Sequence, residues 1–249
     1  MSIPTSKTQP QTSDILLQAN GIMKRYGGVI ALNGIDLVQR RGEMLGMIGP
    51  NGSGKTTFVN VISGHTKANG GAIHFDGVPM VRRKPYQIAQ SGLVRTYQAV
   101  RVFGELSARD NIATAQVDAR TAMDAFGVAE LAEWLRISYR FDARAGSLTL
   151  FEQRQLELLM RLVQKPKLIM LDEPVGGLSS TEVRAMIALL AELKTRCTLF
   201  IIEHTMKVIR ELADKVVVLM AGAKMAEGPP ADILADKRVI ERYLGTANA

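Results

Sequence analysis

Apolar positions fall into distinct rhythms along the chain. Between residue 14 and about 94, short apolar runs alternate with turns: Ile15-Leu16-Leu17, Ile35-Asp36-Leu37-Val38, residues 44–48 and Ala72-Ile73-His74-Phe75. Runs this short, bounded by turn residues, predict strands. From about 95 to 155 the pattern changes to alanine-rich stretches of 3.6-residue period, at 120–126 and 128–137, which predict helices. Strand and helix alternate again from Leu168. Residues 168–171, 198–202 and 216–220 read as strands, and 206–213 as a helix. Val183, Met186, Ile187, Leu190 and Leu193 line one face of another helix, opened by the capping pair Ser179 and Glu182. Such alternation predicts a parallel sheet covered by helices. The reading is therefore one α/β core interrupted by a helical insert, without internal repeats or low-complexity segments.

One junction in this pattern carries chemistry. Gly49-Pro50-Asn51-Gly52-Ser53-Gly54-Lys55-Thr56-Thr57 fits G-x-x-x-x-G-K-[ST] at every fixed position. It lies between the strand at 44–48 and a helix beginning near Phe58. Glycines let successive N–H groups point inward, and the helix start adds its positive dipole end. In that arrangement Lys55 reaches the β- and γ-phosphates of a nucleotide and the Thr56 hydroxyl ligates Mg²⁺.

Composition narrows the class. The chain has 249 residues, 47% hydrophobic and 22% charged, as in ordinary globular proteins. No apolar run approaches the roughly 18 residues that span a bilayer. Residues 1–13 are polar, with two prolines, and read as a disordered tail rather than a signal peptide. The single Cys197 sits in an apolar run, reads as a core residue and suits the cytoplasm. The net charge of +7 is scattered, apart from Arg82-Arg83-Lys84 and Arg136, Arg140 and Arg144. It reads as a mildly basic solvated surface in preference to attraction to anionic lipid heads or a polyanionic ligand. Too few aromatics are interleaved for a nucleic-acid platform.

A phosphate loop needs an acidic partner for its metal. The strand at 168–171 ends in Asp172-Glu173, placing Asp172 to hold Mg²⁺ and Glu173 to polarise an attacking water as general base. Another strand ends in Glu203-His204, and His204 there can reach the γ-phosphate; read alone, such a histidine is more often a surface or capping residue. Gln98, in Arg95-Thr96-Tyr97-Gln98, stands where core meets insert. Its amide either contacts Mg²⁺ and the lytic water or is a solvated hinge residue. Tyr26 precedes the loop and either stacks on adenine or packs in the core.

These motifs, in this order, resemble the nucleotide-binding subunit of ATP-binding cassette (ABC) transporters over residues 15–245, and most of all the ATPases of branched-chain or hydrophobic amino acid importers. The segments KRYGGVIALNGIDL, IGPNGSGKTT, RTYQAVRVFGELSARDNI, LDEPVGGLSS, IIEH and RVIERYLG carry the likeness. The resemblance implies a phosphate-loop NTPase core, an antiparallel β subdomain near the N-terminus and an inserted helical subdomain. The core comprises 14–94 and 156–249, and the insert about 95–155. ATP is bound by Tyr26 and by Asn51, Gly52, Ser53, Gly54, Lys55, Thr56 and Thr57. Mg²⁺ is held by Thr56, Gln98 and Asp172. Catalysis falls to Glu173, His204 and Gln98, and residues 175–180 form a loop that communicates across a dimer.

One segment departs from the family pattern. Where the family has L-S-G-G-Q or L-S-Y-G-Q, the chain reads Leu148-Thr149-Leu150-Phe151-Glu152. In the family this signature, here Thr149, Leu150, Phe151 and Glu152, faces the nucleotide of a second subunit. Phe151 in place of glycine is expected to block close backbone approach, and Glu152 in place of glutamine to repel the γ-phosphate. The expectation is a chain that binds ATP, hydrolyses it weakly as a homodimer and better with a partner that lends an intact signature; the alternative is that the loop tolerates these residues, Thr149 and the backbone sufficing.

The resemblance further implies a peripheral ATPase on the cytoplasmic face of the inner membrane. Its partners are membrane-spanning subunits, a second identical or different ATPase subunit and, indirectly, a solute-binding protein, with no nucleic acid. The apolar residues Val100, Val102, Phe103 and Leu106 either line the groove for the membrane subunit or simply pack the insert. Alternatives are a soluble ABC-type ATPase or a hydrolytically weak regulatory ATP-binding subunit.

Overall fold

The computed structural model describes residues 14–116 and 123–241. The expected tail at 1–13, the first residues of the expected helix at 120–126 and the end of the RVIERYLG segment lie outside the described residues.

Two sheets organise the molecule. β1 (Ile15–Tyr26) and β2 (Val29–Arg40) pair antiparallel, and β3 (Met44–Ile48) runs into the glycine loop and α1 (Lys55–Ile62). β4 (Gly70–Phe75) and β5 (Val78–Pro79) complete an antiparallel sheet of order β2-β1-β4-β5. After α2 (Pro85–Gln90) and β6 (Leu93–Arg95) come α3 (Ala108–Ala115), α4 (Ala125–Trp134), two short 3₁₀ turns and α5 (Leu150–Leu162). β7 (Leu168–Asp172), α6 (Ser180–Leu193), β8 (Thr198–Ile202), α7 (Met206–Leu212), β9 (Lys215–Met220) and β10 (Ala223–Gly228) follow. The second sheet has the order β10-β9-β3-β8-β7-β6; β10 is antiparallel to β9, and the other pairs are parallel. Short helices α8 (Pro230–Ala235) and α9 (Lys237–Val239) close the described chain.

The parallel strands are buried on both faces, which is why β3, β7 and β8 read as unbroken apolar runs rather than alternations. Their two-residue period divides the core. Leu45, Met47, Met170, Phe200 and Ile202 face the antiparallel sheet and α1, where Phe58 stacks on Phe200 at 6.3 Å. Met44, Ile48, Ile169, Leu171 and Ile201 face the opposite way and join Ala108, Ile112, Ala132 and Leu135 of the insert. Insert and core thus share one hydrophobic cluster.

Several boundaries differ from those read in the sequence. A division at 155/156 cuts α5, which is continuous because Leu156, Leu159 and Leu162 continue its buried face into the core. β6 carries the core through Arg95 by pairing with β7. α4 begins at Ala125, where the Asp124 side chain accepts the Gly127 N–H, and it ends at Trp134 instead of 137. β1 and β2 are much longer than their apolar runs, since register shifts between them break the regular alternation. β10 was invisible in the sequence; it is a half-exposed edge with few apolar residues.

Candidate functional site

The loop after β3 is shaped by backbone conformation. Gly49 has φ 152°, and a Cβ there would lie 2.2 Å from the Leu219 carbonyl oxygen. Gly54 has φ 105°, and its Cβ would meet the Ala31 carbonyl oxygen at 2.6 Å. Neither position accepts another residue without displacing backbone. α1 has no side-chain cap and no acidic residue in its first turn. Its leading N–H groups and dipole therefore favour an anion. Lys55 is buried and curls over the loop, donating from Nζ to the carbonyls of Gly49 (2.7 Å) and Pro50 (3.0 Å). Burial holds its pKa below that of a free lysine, while Glu173 and Asp172 oppose the shift. Among the described residues the buried Ser53 Oγ has no hydrogen-bond partner. An orphaned hydroxyl, an uncapped helix and a glycine cradle together fit a bound polyphosphate. Asn51, Gly52 and Thr56 are exposed, and Thr57 is half-buried.

Beside the loop, at the carboxyl ends of β7 and β8, three predicted residues meet. Gln98 Nε2 donates to Glu173 Oε2 at 2.9 Å, and His204 Nδ1 lies 3.7 Å from Glu173 Oε1. Glu173 has φ 48°, a strained value for a residue with a side chain, and its N–H is held by the Ile202 carbonyl at 2.9 Å. Asp172 is buried, with Arg95 Nη2 3.2 Å from its Oδ2. Burial raises its pKa, with Arg95 acting against the shift. The Thr56 hydroxyl, the Asp172 carboxylate and the Gln98 amide are oxygen donors of the kind a hard divalent cation takes. Tyr26 is 49% exposed at the end of β1, so the core-packing alternative does not hold for it. Lys24 Nζ lies 4.7 Å from its ring centre.

The signature segment is built differently from the expectation. Thr149 caps α5: its hydroxyl accepts the Glu152 N–H, and Glu152 Oε2 accepts the Thr149 N–H at 2.8 Å. Glu152 Oε1 is taken by Tyr139 Oη and Arg140 Nε, both at 2.8 Å. Burial alone would raise the Glu152 pKa, but the bonds from Thr149, Arg140 and Tyr139 outweigh it and hold the pKa at about 2. The carboxylate is thus turned inward and compensated within the chain. The Phe151 ring is half-buried against the core cluster, and Leu150 is the exposed apolar residue of the first turn. The placement of Glu152 has a local cause. A helix N-terminus demands acceptors for its free N–H groups, and a glutamate at the third position supplies one.

Sequence reading missed four buried polar residues that support these groups. Arg95 also donates to Asn60 Oδ1 (2.6 Å) and Ser63 Oγ (3.2 Å). Arg154 Nη2 donates to the Gly176 carbonyl at 2.7 Å. Glu157 accepts from the backbone N–H groups of Arg101 and Tyr97, flanking Gln98, and burial raises its pKa. Glu203 is fully buried beside His204. The available signal was a charged residue ending or interrupting an apolar run. Cys197, by contrast, is half-buried and inert, its thiol pushed up to about 12 by burial.

The chain resembles known proteins over most of its length. The family model described as "ABC transporter" matches residues 32–176, and one described as "Branched-chain amino acid ATP-binding cassette transporter" matches residues 223–249. The chain is 35% identical to the high-affinity branched-chain amino acid transport ATP-binding protein BraF of Pseudomonas aeruginosa, over 93% of this chain and 98% of that protein. It is 36% identical to LivG of Salmonella typhimurium, whose name describes the same role, over 94% and 100%. Among solved structures, the ADP conformation of an ATP-binding cassette of an ABC transporter superposes with a TM-score of 0.83 at 27% identity, covering 93% of this chain and 99% of that one.

Proposed function

The chain belongs to the ABC transporter family as an ATP-binding subunit, and from that premise we propose that it drives import of a small solute, a branched-chain or other hydrophobic amino acid, by binding and hydrolysing ATP. The meeting of Gln98, Glu173 and His204 beside the Lys55 loop carries the hydrolytic part of this reading. The assignment of amino acids rests on what the similar proteins are named for.

Each residue has a task in this reading. Backbone amides of residues 51–57 and Lys55 cradle the phosphates, and Tyr26 stacks the base. Thr56, Asp172 and Gln98 supply oxygens to magnesium, which when bound neutralises charge on the β- and γ-phosphates. Glu173 accepts a proton from the attacking water, Gln98 orients that water, and His204 donates to the γ-phosphate. The backbone strain at Glu173 aims its carboxylate at this point.

Among the described residues no helix is long and apolar enough to cross a membrane, so movement of solute requires membrane subunits. This subunit sits at their cytoplasmic face. Their contact lies between insert and core, where Phe103 is 57% exposed and Leu106 is 37% exposed. A second ATPase subunit faces the first turn of α5 and residues 175–180, and a solute-binding protein delivers the cargo to the membrane subunits. The ATPase unit divides into a core and a helical insert that meet near Thr96 and within α5.

ATP turnover by the assembled complex tests the reading. Glu173→Gln is expected to lower kcat by at least about 100-fold with nucleotide still bound. Lys55→Ala is expected to weaken nucleotide binding by about 10–100-fold. Unchanged turnover in Glu173→Gln would remove this chain's site from the reaction.

A further inference from the structure

Glu203 directly follows β8 and is fully buried, yet the roles assigned above leave it without one. Its two oxygens serve two separate loops. Oε1 accepts the N–H of Val175 at 3.2 Å, in the loop that follows Glu173. Oε2 accepts the N–H groups of His204 and Thr205, each at 3.1 Å. A carboxylate offers acceptors only, so one side chain ties three main-chain donors from two strand ends together. The far side of the first loop is held as well: Arg154, on the helix that begins with the signature, donates to the Gly176 carbonyl at 2.7 Å. Gly177 lies beside Leu150 of the signature turn, where an added Cβ would be 3.1 Å from Leu150 Cδ2. Residues 175–177 are therefore gripped between the signature helix and Glu203, and Glu203 holds the backbone that carries His204.

We propose that Glu203 is a positioning residue that clamps the loop at 175–177 to the backbone of His204, so that the placement of His204 depends on the loop facing the second subunit. The inference rests on the proposed role of His204. The His204 side chain is 61% exposed, with Glu173 Oε1 3.7 Å from its Nδ1. Its side chain has little packing to fix it, and its aim is set by the backbone on which it stands.

Glu203→Gln is the discriminating variant, nearly isosteric and able to accept from one loop but not both. In the assembled complex kcat is expected to fall by about 10–100-fold, the scale of a lost buried hydrogen bond to a charged group. KM and nucleotide affinity are expected to stay within about threefold. On a His204→Ala background the same change is expected to cost nothing further, since its effect passes through His204. In the isolated chain, amide hydrogen exchange at Val175, His204 and Thr205 should be slow in the wild type and faster in Glu203→Gln, with β7 unchanged. Glu203→Asp, which keeps the charge but shortens the reach, serves if the glutamine variant does not fold, with the same expected outcome. Fast exchange at these amides in the wild type, an additive loss on the His204→Ala background, or undiminished turnover in both Glu203 variants overturns the clamp. If His204→Ala alone retains full turnover, the proposed role of His204 has failed instead.

Discussion

At the scale of single residues, the phosphate loop is a backbone device. Gly49 is fixed by the Leu219 carbonyl, which leaves no room for a methyl group. Gly49→Ala is expected to cost about 1–3 kcal/mol of stability through overpacking, measured by urea unfolding, and to weaken nucleotide binding with it. Lys55 is legible in the sequence because its partners are local, within six positions along the chain. Arg95 is not, because its partner Asp172 lies 77 positions away. A motif records the residues that touch a ligand; it does not record the buried groups that hold them, whose identity depends on which strands become neighbours.

At the scale of elements, the start of α5 shows a helix deciding the fate of a side chain. Read in one dimension, Glu152 is a charge placed against phosphate. In the structure it closes a capping box and pairs with Arg140 and Tyr139. Its folded pKa of about 2 lies below the ordinary value of 4.5. The stability it contributes is therefore complete above pH 4.5 and is lost as pH falls towards 2. Glu152→Gln is expected to flatten that acid limb in pH-dependent unfolding, to cost about 1 kcal/mol at neutral pH, and to bring no gain in turnover. α4 is tied to α6 in a comparable way. Trp134 Nε1 donates to Glu192 at 2.8 Å, and Arg196 lies 4.6 Å from the ring centre. Trp134→Phe is expected to lose about 1 kcal/mol and to speed hydrogen exchange in α4 while the central strands stay protected.

At the scale of the whole molecule, one hydrophobic cluster spans insert and core, so the two move only by repacking a shared interior. Part of the positive charge is locally engaged: Arg140 pairs with Glu152 and Arg144 with Glu105. Attachment to a membrane is thus expected to follow partner subunits rather than lipid charge. Expressed alone, the chain should fractionate with soluble protein; with its membrane subunits it should sediment with membranes. Membrane recovery of the chain alone, abolished by salt, would show direct lipid binding instead.

From the sequence alone came β3, β7, β8 and β9, the phosphate-loop motif, the acidic pair at 172–173 and the family likeness, because hydrophobic period and contiguous motifs are short-range properties written along the chain. Tertiary structure decided the inward turn of Glu152, the pairing of Arg95 with Asp172, the continuity of α5 and the burial of Glu203 between two loops. Each of these depends on segments far apart in sequence meeting where water is excluded. There a polar group must find a partner, and the partner it finds is whichever one the packed sheet brings near.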